Sequence, residues 1–214
     1  MNLRISLTMS KCRLFIIRHA ETIGNVEDRL TGRCDYEITL KGKKDIKLLT
    51  QELKNIRFDK IYSSTSKRAI KTIEPLAKIN NKEIIENYNL REMDLGIYDG
   101  WKWEEVNKIN PKIKDTQIKI NNIIGIPGQE SLEEVAERMY NVINEIAESN
   151  LGKNILISSH GVSIEAFLRK IEKVPFSEQR ERFCQHNTAI NEVEYKNKSF
   201  KILRLAYIDH VNNK

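Results

Sequence analysis

The chain has 214 residues, of which 40% are hydrophobic and 31% are charged, and its formal net charge is +6. This composition is typical of a soluble globular protein, and no apolar run approaches the roughly 20 residues of a membrane-spanning helix. Ser6, Thr8, Ser10 and Lys11 interrupt the apolar character of the first segment, so it lacks the core of a signal peptide, and we expect neither export nor a membrane partner.

Two further classes of partner and site are disfavoured. Lysine and arginine are spread along the whole chain and interleaved with acidic residues, so we expect no nucleic-acid partner despite the positive charge. Cys12, Cys34 and Cys184 form no CxxC pair, which predicts neither a disulfide framework nor a zinc site. A reducing, cytoplasmic location fits these cysteines best.

Strand and helix patterns alternate along the first half of the chain. A continuous apolar run predicts a strand over 13–18 that is buried on both faces, as in a parallel sheet. Helical periodicity follows over 48–56 and again over 69–77, where Pro75 should kink the helix without abolishing it. Short strand candidates follow these two helices, at 60–62 and 83–85.

The second half contains the clearest helical pattern, over 132–148, and its start is marked by a capping box of Ser131 and Glu134. Before it, residues 107–130 hold two prolines and two glycines and have poor periodicity. We therefore predict an irregular lid over about 97–130. The remaining predicted elements are a buried strand at 154–159, a helix at 163–171 and a pair of strands at 190–195 and 201–207.

This order of elements predicts one α/β domain over 1–214, folded as a three-layer α/β/α sandwich around a mainly parallel central sheet. Ligands in such folds bind outside the carboxyl ends of the strands, which here are Ile17, Tyr62 and Ile157. The oligomeric state is left open between a monomer and a homodimer, because the late strands over 190–207 could pair with a second chain.

Arginine and histidine side chains follow these three strand ends: Arg18 and His19, then Arg68, then His160 with Gly161. One histidine at such a position is more often a capped loop residue. Two histidines with two arginines suit a phosphate, because guanidinium groups donate in pairs to phosphate oxygens. The same cations disfavour protonation of an imidazole, which leaves a ring nitrogen free as a nucleophile, and they disfavour a metal ion.

A nucleophile that attacks phosphorus needs a proton donor for the departing alcohol oxygen. Glu92, in the run LREMDLG, is the candidate, and Asp94 is its competitor. We expect partial burial of Glu92 against apolar neighbours to favour the protonated form that an acid needs. Trp101 and Trp103 follow shortly after and could form a wall of the pocket, although core packing is the commoner fate of tryptophan.

Taken in order, these residues resemble the histidine phosphatase superfamily, the group with phosphoglycerate mutase-like folds. The run Arg18-His19-Ala20-Glu21-Thr22, followed by Asn25, matches the family motif of the RHG(E/S)T type, with alanine in place of the usual glycine. Further pieces match in the family's order, so that the resemblance covers roughly residues 13–195. They are Thr31-Gly32 with Leu40-Lys41-Gly42, Ser63-Ser64 with Lys67-Arg68-Ala69 and Thr72, Leu90-Arg91-Glu92 with Gly96 and Asp99-Gly100, and Ser159-His160-Gly161.

The resemblance implies a phosphatase that acts on small-molecule phosphomonoesters through a phosphohistidine intermediate, without a metal or other cofactor. His19 would be the nucleophile. Arg18, Arg68 and His160 would bind the phosphoryl oxygens, and Glu92 would act first as acid and then as base. The substrate-binding residues would be Asn25, Thr31, Gly32 and Gly161.

Two departures favour the phosphatase branch of the family over its cofactor-dependent phosphoglycerate mutases. Gly24 stands where the mutases usually carry an aromatic residue, and the stretch after Glu92 lacks their long basic insertion. Residues 93–130 are instead similar to α-ribazole phosphatases and broad-specificity sugar phosphatases, so α-ribazole 5′-phosphate or a sugar phosphate is the expected substrate. A mutase and a non-catalytic phospho-ligand-binding module are the alternatives. Specificity would depend on the irregular segment 97–130 and on side chains such as Tyr98, Trp101 and Trp103.

Overall fold

A six-stranded sheet lies at the centre of the computed structural model, which describes residues 10–109, 126–177 and 181–212. Its strand order is β3-β2-β4-β1-β5-β6, and each observed strand end lies within two residues of the predicted one. The strands are β1 (Cys12–Arg18), β2 (Lys60–Ser63), β3 (Ile84–Glu86), β4 (Asn154–Ser159), β5 (Ile190–Lys196) and β6 (Ser199–Tyr207).

The sheet is parallel over four strands and antiparallel at one side. Strand β4 pairs in parallel with both β1 and β2, and β2 pairs in parallel with β3. Strand β5 runs antiparallel to β1 and forms a hairpin with β6. The mainly parallel sheet that the sequence predicts is therefore confirmed, and the antiparallel pair at its side is the predicted hairpin of late strands.

Helices cover both faces of the sheet, as the continuous apolar run of β1 requires. Leu14 and Ile16 pack in one cluster, and Phe15 and Ile17 pack in another on the opposite face. This double burial confirms the three-layer sandwich. No helix in the described ranges is long and apolar enough to span a bilayer. The α-helices of the described residues are α1 (Ile23–Val26), α2 (Leu40–Leu53), α3 (Lys67–Asn80), α4 (Trp103–Ile109), α5 (Leu132–Glu148), α6 (Gly161–Glu172) and α7 (Asp209–Asn212).

Local capping explains where helices α5 and α2 begin. Helix α5 starts at the predicted capping box, in which the Ser131 hydroxyl accepts from the Glu134 amide at 3.2 Å and the Glu134 carboxylate accepts from the Ser131 amide at 2.8 Å. Helix α2 begins two turns earlier than its apolar pattern indicates, because the Thr39 hydroxyl accepts from the Gly42 amide at 2.9 Å. Helix α3 continues past Pro75, as predicted.

Part of the segment predicted to be irregular, 97–130, is helical. A 3-10 helix (Gly96–Tyr98) precedes α4, in which Val106 is fully buried. One buried position in a seven-residue helix leaves no apolar periodicity to detect, which is why the pattern missed α4. Residues 110–125 lie outside the described part of the chain, so the lid and the single-domain organisation over 1–214 stay predictions.

Candidate active site

The carboxyl ends of β1, β4 and β2 lie side by side, and the residues that follow them meet at one edge of the sheet. His19 follows β1 and His160 follows β4, with their ring centroids 5.2 Å apart. The positive charges of Arg68 and Arg18 act on both imidazoles. The four side chains that the sequence predicted to converge on one pocket are therefore brought together.

The ring of His19 is almost completely buried, with 3% of its surface exposed. Its Nδ1 lies 2.8 Å from the carbonyl oxygen of Ala20. Because a carbonyl can only accept, Nδ1 carries the proton and Nε2 keeps its lone pair. Burial lowers the pKa of His19 well below 6.5, with the charges of Arg68 and Arg18 as further causes. The imidazole is therefore neutral at neutral pH.

The backbone around His19 is held by contacts from three distant segments. The His19 amide donates to the Ser159 carbonyl at 3.0 Å, and the Ala20 amide donates to the Thr72 hydroxyl at 2.9 Å. The side-chain amide of Asn187 donates to the His19 carbonyl at 3.0 Å and to Asn25 Oδ1 at 3.3 Å. Asn187 could not be singled out from the sequence, where its only signal is its place in a polar run shortly before β5.

His160 is completely buried, and its orientation depends on a serine that follows β2. Its Nε2 lies 2.8 Å from the Ser64 hydroxyl, whereas its Nδ1 has no hydrogen-bond partner within the described part of the chain. Burial lowers the pKa of His160 well below 6.5, and the charges of Arg68, Arg18 and Arg138 lower it further. The role of Ser64 was not evident from the sequence.

The guanidinium of Arg68 is buried, with 1% of the residue exposed, and it binds the segment that links α1 to α2. Nη1 donates to the Cys34 carbonyl at 2.7 Å and to Asp35 Oδ1 at 2.8 Å. Nη2 donates to the carbonyls of Gly32 at 2.9 Å and Thr31 at 3.3 Å. Among the described residues, Nε has no hydrogen-bond partner. Both Nη groups thus donate to the protein, and Nε is the guanidinium donor that is left for a ligand.

A cavity of about 360 Å³ lies beside these residues. Five of the nine predicted site residues line it, and the other four, His19, His160, Arg68 and Gly32, are buried. Trp103 also lines the cavity, whereas Trp101 is 40% exposed and packs edge-on against Tyr98 at 5.6 Å. The full lining is Arg18, Asn25, Asp28, Arg29, Leu30, Thr31, Glu92, Met93, Leu95, Trp103, Gly161, Val162 and Asn187.

The carboxylate of Glu92 lies at the N-terminus of α6, among hydrogen-bond donors. Oε1 accepts from the amides of Met93 and Ser163, both at 2.9 Å, and from the Ser163 hydroxyl at 3.0 Å. Oε2 accepts from the Val162 amide at 3.1 Å. The surroundings are more polar than the apolar neighbours in sequence suggested, and Oε2 is the oxygen with fewer donors.

The competing carboxylate, Asp94, is committed elsewhere. It forms an ion pair with Arg33 and accepts from the Gly96 amide at 3.1 Å. Glu92 lines the cavity, whereas Asp94 is not among the described residues that do so. The geometry therefore favours Glu92 as the acid.

Comparison with known proteins decides the family. The sequence profile of the histidine phosphatase superfamily (branch 1) matches residues 14–208. The chain belongs to this superfamily. Membership confirms the resemblance found in the sequence and the predicted class of enzyme, a phosphoric monoester hydrolase.

Individual relatives of this histidine phosphatase carry different names. Phosphoserine phosphatase 1 of Hydrogenobacter thermophilus is 29% identical and is matched over 93% of this chain and 94% of its own. The probable phosphoglycerate mutase GpmB of Cronobacter sakazakii is 28% identical, over 86% and 85%. Bacillus stearothermophilus YhfR superposes with a TM-score of 0.86 at 26% identity, over 93% of this chain and 98% of that chain. The phosphoglycerate mutase-like fold is confirmed, and the α-ribazole phosphatase type stays a prediction.

Gly24, which departs from the mutase pattern, stands where neighbouring side chains leave no room for a larger residue. A Cβ at position 24 would lie 2.6 Å from Cδ2 of Tyr36 and 2.8 Å from Cγ2 of Thr31. The Tyr36 ring thus occupies the space that a side chain at Gly24 would need. An aromatic residue at position 24 does not fit unless Tyr36 moves.

The two buried imidazoles predict how stability depends on pH. Because the folded-state pKa values of His19 and His160 lie well below 6.5, the unfolded chain binds more protons below that pH. Each ring therefore contributes stability that is fully present above pH 6.5 and is lost as the pH falls, with a slope approaching about 1.4 kcal/mol per pH unit. We expect His19→Asn to reduce the slope of the free energy of unfolding against pH, below pH 6.5, by about that amount.

Urea denaturation at a series of pH values below 6.5 measures this slope. The matched control is His186→Asn, because the His186 side chain is exposed, and it should leave the slope unchanged. A slope for His19→Asn equal to that of the original protein would show that the His19 ring is not held neutral by the fold.

Proposed function

We propose that this histidine phosphatase hydrolyses small-molecule phosphomonoesters through a phosphohistidine intermediate at His19, without a metal. The observation that carries the proposal is the orientation of the His19 ring, whose Nδ1 donates to the Ala20 carbonyl at 2.8 Å. The Nε2 lone pair is then free to attack phosphorus. Arg18 and Arg68 supply the fixed positive charge that a metal ion would otherwise bring to the phosphoryl oxygens.

Two buried groups next to His19 support a phosphoryl group as the ligand. Arg68 Nε and His160 Nδ1 have no hydrogen-bond partner in the described part of the chain. If the Ser64 hydroxyl donates to His160 Nε2, the proton of that ring lies on Nδ1. A buried donor without an acceptor costs roughly 1–3 kcal/mol. Phosphoryl oxygens would provide acceptors for both groups.

The proposed reaction has two steps. First, the Nε2 lone pair of His19 forms a bond to phosphorus, the ester P–O bond breaks, and protonated Glu92 gives its proton to the departing alcohol oxygen. Second, the Glu92 carboxylate takes a proton from water while the water oxygen attacks phosphorus, and the electrons of the N–P bond return to Nε2. We assign the transferred proton to Glu92 Oε2, which accepts only from the Val162 amide among the donors described above.

The cavity supports a substrate with a small organic alcohol part. Its volume of about 360 Å³ exceeds what a phosphate needs, and its walls combine apolar side chains such as Leu30 and Trp103 with the charged side chains of Asp28 and Arg29. α-Ribazole 5′-phosphate and sugar phosphates are the candidates from the sequence. The name of the Hydrogenobacter relative adds phosphoserine.

Release of inorganic phosphate from these compounds, measured in the presence of a chelator, tests the proposal. We expect turnover of at least one compound and of p-nitrophenyl phosphate, and failure of the folded protein to hydrolyse any of them would contradict it. Formation of 2-phosphoglycerate from 3-phosphoglycerate, stimulated by 2,3-bisphosphoglycerate, would instead show a mutase. Binding of phosphate without turnover would show a non-catalytic binding module.

A further inference from the structure

The segment that binds Arg68 is held from its other side by a single carboxylate. Gly32 donates its amide to Asp99 Oδ1 at 2.7 Å. Arg33 and Cys34 donate theirs to Asp99 Oδ2 at 2.9 Å and 3.0 Å. Three consecutive amides thus converge on one side chain, which follows the 3-10 helix at Gly96–Tyr98.

Two peptide groups in this segment connect Asp99 directly to Arg68. In the peptide between Thr31 and Gly32, the carbonyl accepts from Arg68 Nη2 and the amide donates to Asp99. The next peptide, between Gly32 and Arg33, does the same. Because each peptide group is planar, with its C=O and N–H pointing in opposite directions, fixing the amide also fixes the direction of the carbonyl.

We propose that Asp99 is a positioning residue for phosphoryl transfer, which acts through these two peptide groups to hold the guanidinium of Arg68. With both Nη groups committed to the segment, Arg68 is left with Nε as its donor toward the phosphoryl group. A negative charge that accepts from the amides also polarises the peptide groups and strengthens the bonds that their carbonyls accept. This inference rests on the proposed function of Arg68.

The fold of the segment around Asp99 does not depend on its carboxylate alone. The Gly100 amide donates to the Leu30 carbonyl at 2.7 Å, and the Leu30 amide donates to the Trp101 carbonyl at 2.9 Å. These backbone bonds tie the two segments together whatever the side chain at position 99. We therefore expect Asp99→Asn to fold, while its amide group replaces one acceptor oxygen with a donor that faces a backbone N–H.

Steady-state kinetics of Asp99→Asn with p-nitrophenyl phosphate test the inference. We expect kcat to fall roughly tenfold or more, as for loss of a hydrogen bond to a charged group, and KM to change by less than about threefold because the loss falls on the transition state. The Kd for orthovanadate should rise by a similar factor. Asp59→Asn is the matched control, since Asp59 accepts from the Asn154 amide at 2.9 Å at the opposite end of the sheet, and it should leave kcat unchanged.

A double-mutant cycle with Arg68→Lys separates positioning from a general structural role. If Asp99 acts through Arg68, Asp99→Asn should change kcat by less than about twofold in the Arg68→Lys background. An equal loss in both backgrounds, or an unchanged kcat in the single variant, would overturn the inference. If circular dichroism shows that Asp99→Asn does not fold, Asp99→Ser, which keeps one acceptor, is carried through the same cycle with the same expected outcome.

A failure of the proposed function would be distinguishable from a failure of this inference about Asp99. If the original protein hydrolyses no phosphomonoester, the phosphatase proposal is wrong. If it does hydrolyse them and Arg68→Lys retains full activity, the role of Arg68, and with it that of Asp99, is wrong.

Discussion

Replacing His19 by alanine is expected to lower kcat for p-nitrophenyl phosphate by a factor on the order of 10⁴ or more, because water must then attack phosphorus directly. The variant should also lose the phosphoryl label that an alkaline quench preserves on the protein, since phosphohistidine is labile in acid. Hydrolysis is measured in the presence of a chelator, and the label is located by peptide mapping.

His186→Ala is the matched control for this substitution, because it removes an imidazole whose side chain is exposed. It should retain both hydrolysis and labelling. Full hydrolysis by the His19→Ala protein would show that the reaction does not pass through His19, whatever the fate of the label.

Replacing Glu92 by glutamine is expected to have the second largest effect, and the effect should depend on the leaving group. The amide oxygen of glutamine can still accept from the Met93 and Ser163 amides, while its NH₂ group faces the Val162 amide and the side chain cannot transfer a proton. We expect kcat for an alkyl phosphate to fall by roughly 10²–10⁴-fold. With p-nitrophenyl phosphate, whose phenolate leaves without protonation, the phosphoryl label on His19 should accumulate because the second step loses its base.

Asp94→Asn is the control that separates the two candidate carboxylates. Asp94 is paired with Arg33, so its substitution should leave the dependence of kcat on the leaving group as it is in the original protein. Loss of alkyl phosphate hydrolysis in Asp94→Asn, with activity retained in Glu92→Gln, would reverse the assignment of the acid.

Elements with a strong apolar pattern could be predicted from the sequence, and elements with one buried position could not. Strand β1 is buried on both faces, so its residues form an uninterrupted apolar run. Helix α5 combines a buried face with a capping box at Ser131. Helix α4 buries only Val106 completely, and its charged neighbours give no period. Because residues that follow parallel strands meet at one edge, the grouping of His19 and His160 was predictable as well.

The contacts that orient the site were not predictable, because they join residues far apart in the chain. Asn187 lies 168 positions from His19, whose carbonyl it binds, and Ser64 lies 96 positions from His160. The guanidinium of Arg68 was expected to donate in pairs to the phosphate, and both of its Nη groups instead bind backbone carbonyls, with Asp35 as a further acceptor for Nη1. Patterns along the chain predict which residues reach the edge of the sheet, whereas their hydrogen-bond partners depend on how loops fold back over that edge.

The contact between Gly24 and Tyr36 makes the two positions epistatic. In a library that varies position 24 alone, every new side chain would place its Cβ 2.6 Å from Cδ2 of Tyr36. We expect few members of such a library to be active. A library that varies both positions together could place an aromatic ring at position 24 while removing the Tyr36 ring that occupies its space. Conversion toward the mutase pattern would then need at least two coupled substitutions, one at position 24 and one at position 36.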